Sequence, residues 1–351
     1  MTTGSLARAT PRDSAAVASA RWGMAVLLLL AVSLFGCWVV GTRPLDIGTD
    51  TSVYAGFFER LGQGPVDTRM EPGFVGLSWL LSRLGFSVPA YQAALFGLLL
   101  VTVWISTRKY FRYLGGTRGY LTFLSASMML LFLSPMFVNA SINAIRQGLA
   151  ALLVFTALMS FHQRQWWQFV GYGALATSLH YSSLMYLAFA PALFLHTKTL
   201  RYAGAIGLLV YCSGLSEVIV QALAPGVHAI VMEYAARTEL RAGTRIDFAL
   251  FSAFWYVLPH LLAPAIRPPY RERVLHSTAI YLVMLLPFFA IGWGYFSNRY
   301  LLSAWLAVSL ILAAAVCYNR LQVLSHPLLI RMGLIASCAV FYVYVTTGTV
   351  I

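Results

Sequence analysis

The stretch INAIRQGLAALLVFTALMSF, residues 142–161, decides how this chain is read. From Gly148 onward it is the apolar, small-residue-rich run of a membrane helix, about 20 residues being what a ~30 Å hydrocarbon layer requires. Its start, however, holds Asn143, Arg146 and Gln147, and Arg146 is the only formal charge between Gly119 and Phe161. An arginine at the centre of a bilayer costs about 2.5–3.5 kcal/mol on insertion scales. Arg146 therefore sits at a membrane–water boundary, or meets polar partners from other helices.

Outward from this segment the composition is uniform. Of the 351 residues, 60% are hydrophobic and 10% charged, with a mean hydropathy of +0.75. A soluble domain carries about 25% charged residues. The chain reads as an all-α, polytopic integral membrane protein. Its net charge of +13 follows from Lys and Arg gathering in cytoplasmic loops, not from a nucleic-acid surface. Cys37, Cys212, Cys317 and Cys338 all fall in apolar segments, which encodes neither a disulfide framework nor a Cys-x-x-Cys metal site. Arg8, Arg12 and Arg21 precede the first apolar run, 22–41, and LFGC (34–37) resembles a lipoprotein processing box. The basic leader is long for a signal and the run continues past Cys37. Residues 1–21 are thus expected to be a cytoplasmic tail before an uncleaved first span.

Charge parity then predicts the topology of a single transmembrane domain, 22–350. Residues 42–88 balance Arg43, Arg60, Arg69 and Arg83 against Asp46, Asp50, Glu59, Asp67 and Glu71, as suits an external loop; within it 72–86 is too short to span and reads as an interfacial or re-entrant helix. Residues 89–107 cross inward to the basic loop RKYFRYLGGTR (108–118), 120–138 cross out, and 143–161 return to HQRQ (162–165). Residues 167–196 are long for one span and short for two. A hairpin of short helices turning near His180 keeps the positive residues on the inside. Residues 202–223 exit, 224–247 form a second external loop, and 248–266, 274–293, 301–318 and 328–350 complete about ten or eleven spans.

This topology gathers the unusual polar groups on one side: Asp46, Asp50, Arg69, Glu71, Arg146, Gln147, His180, Arg237, Arg241, Arg245, Asn298 and Arg299. Arginine presents a planar fork that grips phosphate or carboxylate oxygens in pairs, so the set reads as an anion site at a membrane–water boundary. Plainer readings stand beside it. Arg146 can snorkel to the interface, His180 can cap or pack, Asp50 can be the N-cap of a helix at 52–61, and the 237–245 arginines can be solvated. Tyr54, Phe57, Trp79, Tyr181, Tyr234, Tyr295 and Tyr300 fit sugar stacking or an interfacial belt.

The blocks DIGTDTSVY (46–54), EPGFVGLSWLL (71–81), NAIRQGLAALLVF (143–155), ATSLHYSSLM (176–185) and SNRYLL (297–302) together resemble the EpsG family of bacterial exopolysaccharide proteins, related to the Wzy-type polysaccharide polymerases. The resemblance implies a glycosyltransferase of the cytoplasmic membrane, active face outward. It would join oligosaccharide repeat units carried on a polyprenyl diphosphate such as undecaprenyl diphosphate. The implied partners are the lipid-linked donor and acceptor, membrane lipids, and a chain-length regulator, flippase or export machinery; nucleic acid is not among them. Arg146 and Arg299 would stabilise the departing diphosphate. His180, a residue type whose ordinary titration suits proton transfer at neutral pH, or else Asp50 or Glu71, would take the acceptor proton. Asp46, Tyr54, Arg69, Asn143, Gln147, Arg241, Arg245 and Asn298 complete the expected substrate contacts. No Asp-x-Asp or His/Asp cluster has metal-ligand spacing, and no cofactor is called for. A flippase or exporter of the same glycan, and an outer-face ligase using a related donor, remain open alternatives.

Overall fold

Proline and glycine set many of the helix boundaries. The computed structural model describes residues 11–233, 243–294 and 297–348. Among the described residues the structure is helical, with one isolated bridge between Ile266 and Asn319 and no strand. In order the helices are α1 (Pro11–Gly41), α2 (Thr51–Gln63), α3 (Pro72–Arg83), α4 (Val88–Tyr113), α5 (Tyr120–Phe132), α6 (Pro135–Ile142), α7 (Ile145–His162) and α8 (Trp166–Leu179). They continue as α9 (Ser183–Ala188), α10 (Thr197–Cys212), α11 (Leu215–Leu223), α12 (Pro225–Glu233), α13 (Ile246–Leu262), α14 (Pro268–Ile291), α15 (Arg299–Cys317) and α16 (Pro327–Thr347). Prolines open α3, α4, α6, α14 and α16, where the missing N–H and fixed φ do no harm.

Among the described residues seven helices are long and apolar enough to cross a membrane. Two further apolar pairs are bent, α5 with α6 at 82° and α10 with α11 at 93°, in the manner of a broken span or a re-entrant loop. The sequence treats both pairs as straight spans, and the structure corrects that. Ser134 is extended ahead of Pro135 (φ −86°, ψ 119°), as the residue before a proline tends to be. Between α10 and α11, Gly214 takes φ +77°, a left-handed conformation that glycine adopts without the Cβ clash. The hairpin over 167–196 is present. His180 breaks the helix with φ −158° and ψ 119°, and a short return arm runs from Ser183 to Phe194. Among the described residues, seven spanning helices, two bent pairs and this hairpin make a multi-pass membrane protein.

The opening segment lies at the centre. α7 is 89% buried inside the protein and packs on α4, α8, α14 and α15. Its Ala150, Ala151, Ala157 and Ser160 let neighbouring backbones approach, the usual basis of helix association in lipid. Buried hydroxyls add cross-links: Ser106 donates to the Leu152 carbonyl at 2.9 Å, and Thr156 donates to Ser106 at 2.8 Å. α1, α13 and α16 lie at the edge, with much of each helix exposed.

Candidate functional site

The start of α7 meets the start of α3 and the break after α8. Glu71 precedes Pro72 and is extended (φ −65°, ψ 142°); its side chain makes no capping bond to α3. It turns instead to other elements. Glu71 Oε1 accepts from His180 Nδ1 at 2.7 Å and from the Tyr181 N–H at 3.2 Å. Oε2 accepts from the Arg146 guanidinium, whose Nε donates to the Tyr54 hydroxyl at 3.3 Å. Glu71 is only 4% exposed in its side chain, Arg146 24% and His180 21%. Burial by itself would raise the Glu71 pKa. The hydrogen bond from His180 and the charge of Arg146 overcome it, holding the carboxyl at about 2.

A carboxylate only accepts hydrogen bonds, so His180 Nδ1 carries the proton and Nε2 is the ring's remaining acceptor. This tautomer is inferred from the network. The same carboxylate fixes the ring plane, as the acid partner of a catalytic histidine does. The histidine thus has the geometry of a base, and Glu71 that of its orienter. Glu71 is also a candidate proton acceptor from the sequence; with His180 Nδ1, the Tyr181 N–H and the Arg146 guanidinium all donating to it, its lowered pKa makes it a weak base and suits it better to holding the other two side chains. Arg146 is likewise taken up by Glu71 and Tyr54, so its first duty is to hold that carboxylate. The charge at the head of the opening segment is answered by Glu71.

A second pair lies alongside. Arg299, the first residue of α15, approaches Asp50 at 3.4 Å. Asp50 stands at the N-cap of α2 without a side-chain capping bond; the capping expectation fails because its carboxylate serves Arg299. The Arg299 carbonyl accepts from Gln147 Nε2 and from the Tyr186 hydroxyl at 3.2 Å, pinning α15 to α7 and α9.

His180, Gln147, Arg299, Ser182, Tyr181 and Tyr300 wall one side of a cavity of about 580 Å³. Met185, Val227, Ile230, Val231 and Ile291 supply an apolar side. Within this wall Gln147 Oε1 and Ser182 Oγ are buried with no hydrogen-bond partner among the described residues. Buried polar atoms in that state are costly and suit contact with a polar ligand. The volume is that of an ordinary ligand site.

The remaining expected residues divide. Asn143 Oδ1 accepts from the Thr49 hydroxyl and the Asp50 N–H, each at 3.2 Å, so it fastens the turn that presents Asp50. Tyr54 is buried under Arg146. Asn298 is partly buried just before α15. Asp46 and Arg69 are exposed in the 42–71 connections. Arg245 is gripped by Asp247 through two bonds at 2.9 and 2.6 Å and lies over the Phe248 ring. Arg241, with Arg237, Tyr234 and Tyr295, lies outside the described residues. The sequence reading missed Arg43. It is 5% exposed, donates to the carbonyls of Val40 at 2.5 Å and Ile142 at 3.4 Å and to the Thr51 hydroxyl at 3.2 Å, and burial lowers its pKa to about 10. It locks the end of α1 to the start of α2. An arginine directly after an apolar run looks like a common interfacial anchor, which hid it.

Four helices contribute to the cluster from their first turns: α2 through Tyr54, α3 through the preceding Glu71, α7 through Arg146 and Gln147, and α15 through Arg299. Each helix start carries about half a positive charge on its free amides, so cations there need carboxylates, and Glu71 and Asp50 supply them.

The approach of α3 to α8 is set by Gly73. A Cβ there would meet Ser178 Oγ at 2.5 Å and its carbonyl at 2.7 Å. Gly73 lies two residues from Glu71, and Ser178 two from His180. Gly73→Ala should therefore separate the Glu71–His180 pair and lower activity at least about tenfold, an order-of-magnitude cost for misplacing a base by a fraction of an ångström. Gly76→Ala, whose Cβ would meet nothing within 4 Å, should keep full activity. Equal rates in the two variants would show that this contact does not set the pair.

Fold and cluster define a multi-pass, all-helical membrane protein with an ionic site beside a mainly apolar cavity that carries a few polar side chains. The chain belongs to the EpsG family, which matches over residues 26–350. That family is associated with exopolysaccharide biosynthesis and polymerase-like activity. No curated protein and no solved structure matches the chain.

Proposed function

We propose that this protein is a polysaccharide polymerase of the bacterial cytoplasmic membrane, with its site on the outer face. It transfers a glycan from a polyprenyl diphosphate, of the undecaprenyl type, to a hydroxyl of a second lipid-linked repeat unit. The observation that carries this reading is His180, held by Glu71 behind it, on the wall of a cavity also lined by Arg299 and by apolar side chains. A lipid-linked glycan needs these features together: a base for the acceptor hydroxyl, a cation for the diphosphate, and an apolar surface for the first prenyl units.

In the step itself the acceptor oxygen bonds to the anomeric carbon of the donor and its proton passes to His180 Nε2. The bond from that carbon to the diphosphate oxygen breaks, and its electron pair leaves with the polyprenyl diphosphate. Arg299 stabilises the charge developing there. Glu71 stabilises the imidazolium until it returns its proton to water. Arg146 is a positioning residue acting through Glu71.

The test is elongation by the purified protein in lipid vesicles supplied with a lipid-linked repeat unit. Longer glycans with release of polyprenyl diphosphate are expected; movement of the unit across the bilayer without elongation would replace the polymerase with a flippase. Arg299→Lys keeps the charge and loses the fork, so elongation should fall about 10- to 100-fold with expression unchanged. A lysine variant working at the normal rate would withdraw the diphosphate role. Orientation is checked by single cysteines in a cysteine-free chain. An impermeant maleimide applied to intact cells should label position 69 and leave position 112 unlabelled, and the reverse pattern would place the site inside.

A further inference from the structure

α7 and α8 run between two different polar ends. The Glu71 cluster lies at the tip of this pair, where α7 begins and α8 stops. At the other end, about 27 Å away by the rise of 18 helical residues, is a cavity of about 830 Å³. Arg108, Lys109 and Arg112 from the end of α4 face it, with Gln165 and Gln168 from the start of α8. A second cavity of about 510 Å³ adjoins the first, with Arg108 lining both, and adds Arg21 and Arg331.

We propose that these adjoining cavities bind the phosphates of an anionic phospholipid headgroup. Positive residues at one end of a membrane protein set its orientation by number alone; here they also wall cavities, which orientation does not require. Among the described residues none of Arg21, Arg108, Lys109, Arg112 or Arg331 pairs with a carboxylate. Five cations around adjoining cavities repel one another until an anion enters. Two of them are held in place: the Lys109 ammonium by the side-chain oxygens of Gln165 and Gln168, and the Arg108 guanidinium over the Tyr120 ring at 4.9 Å. Arg331 Nε is buried with no hydrogen-bond partner among the described residues.

The lipid origin of the anion follows from the rims. Trp104 lines the larger cavity and Trp22 the smaller, and they are 51% and 64% exposed. Exposed tryptophans of a membrane protein lie at headgroup level, where basic pockets between helices take anionic headgroups. With Arg108 shared, a lipid carrying two phosphodiesters sets one in each cavity. This inference needs nothing from the proposed reaction, and its test reads binding without turnover.

The full-length protein, purified in a neutral detergent, is titrated with phosphatidylglycerol, diphosphatidylglycerol, phosphatidylcholine or inorganic phosphate and followed by native mass spectrometry and thermal unfolding. Phosphatidylglycerol and, more tightly, diphosphatidylglycerol should be retained and raise Tm, while phosphatidylcholine should do neither. Arg108→Gln with Arg112→Gln should weaken retention about tenfold or more, at roughly fivefold for each charge near a headgroup. Arg108→Lys should keep most of it, which covers the case of a double variant that fails to fold. Arg60→Gln, removing one exposed charge elsewhere, should change nothing. Equal retention of phosphatidylcholine, or unchanged retention by the double variant, overturns the site. Stabilisation by inorganic phosphate equal to that by phosphatidylglycerol makes it a soluble-phosphate site and overturns the lipid assignment.

Discussion

His180→Gln should turn over lipid-linked substrate about 10²–10⁴ times more slowly than the wild type while still folding and binding it. Glutamine offers an NH₂ donor in place of the ring N–H, and Arg146 and the Tyr181 N–H still hold Glu71, so the ionic cluster should survive. An amide takes up no proton at neutral pH, so the transfer loses its acceptor. Elongation in vesicles measures the turnover, and retention of the lipid-linked unit measures the binding. Near-normal turnover by the glutamine variant would remove His180 from the chemistry and return the role to Asp50, the carboxylate paired with Arg299.

Glu71→Gln should damage stability and rate together. The amide leaves Arg146 without a counter-charge in a site where that side chain is 24% exposed. Breaking such a half-buried pair costs about 2–3 kcal/mol, toward the low side of what fully buried pairs lose. The amide can also present its NH₂ to the ring, releasing the tautomer lock, and the rate should fall about 10²–10³-fold, below the loss seen when a triad carboxylate is neutralised. The pH dependence has a definite sign. Glu71 titrates at about 2 in the folded protein against an ordinary value of 4.5. Its contribution to stability is complete above pH 4.5 and lost as pH falls toward 2. Thermal unfolding of wild type and variant should therefore differ at pH 7 and converge through that window. A variant that unfolds with the wild type at pH 7 would show that the carboxylate holds nothing together.

Much of this was legible in the sequence, for reasons that differ by element. Apolar runs of spanning length are read directly, because lipid forces backbone bonds to close within each helix. The hairpin at His180 was legible from length, 167–196 fitting neither one span nor two. Five short blocks carried the family. The pairing inside the site was not readable. Glu71 and Arg146 lie 75 residues apart in the chain and Asp50 and Arg299 249 apart. Helical periodicity speaks only of neighbours on the same helix. Asp50 before Thr51 and Ser52 has the local form of a cap, and only the arrival of α15 shows that its carboxylate goes elsewhere. The bends at Ser134 and Gly214 were hidden because hydropathy averaged over a window does not register a single turned residue.

The four helices that begin at the cluster carry a further consequence under the proposed reaction. Every donor for such an enzyme shares the diphosphate and differs in the sugars. Backbone amides at the heads of α2, α3, α7 and α15 favour an anion whatever side chains surround them, whereas the cavity wall from Gln147 to Tyr300 is made of side chains. Substitution can rewrite that wall without touching the amides. The constant part of the cargo thus falls to the part of the protein that mutation cannot replace, and the variable part to residues free to drift with the polymer being made.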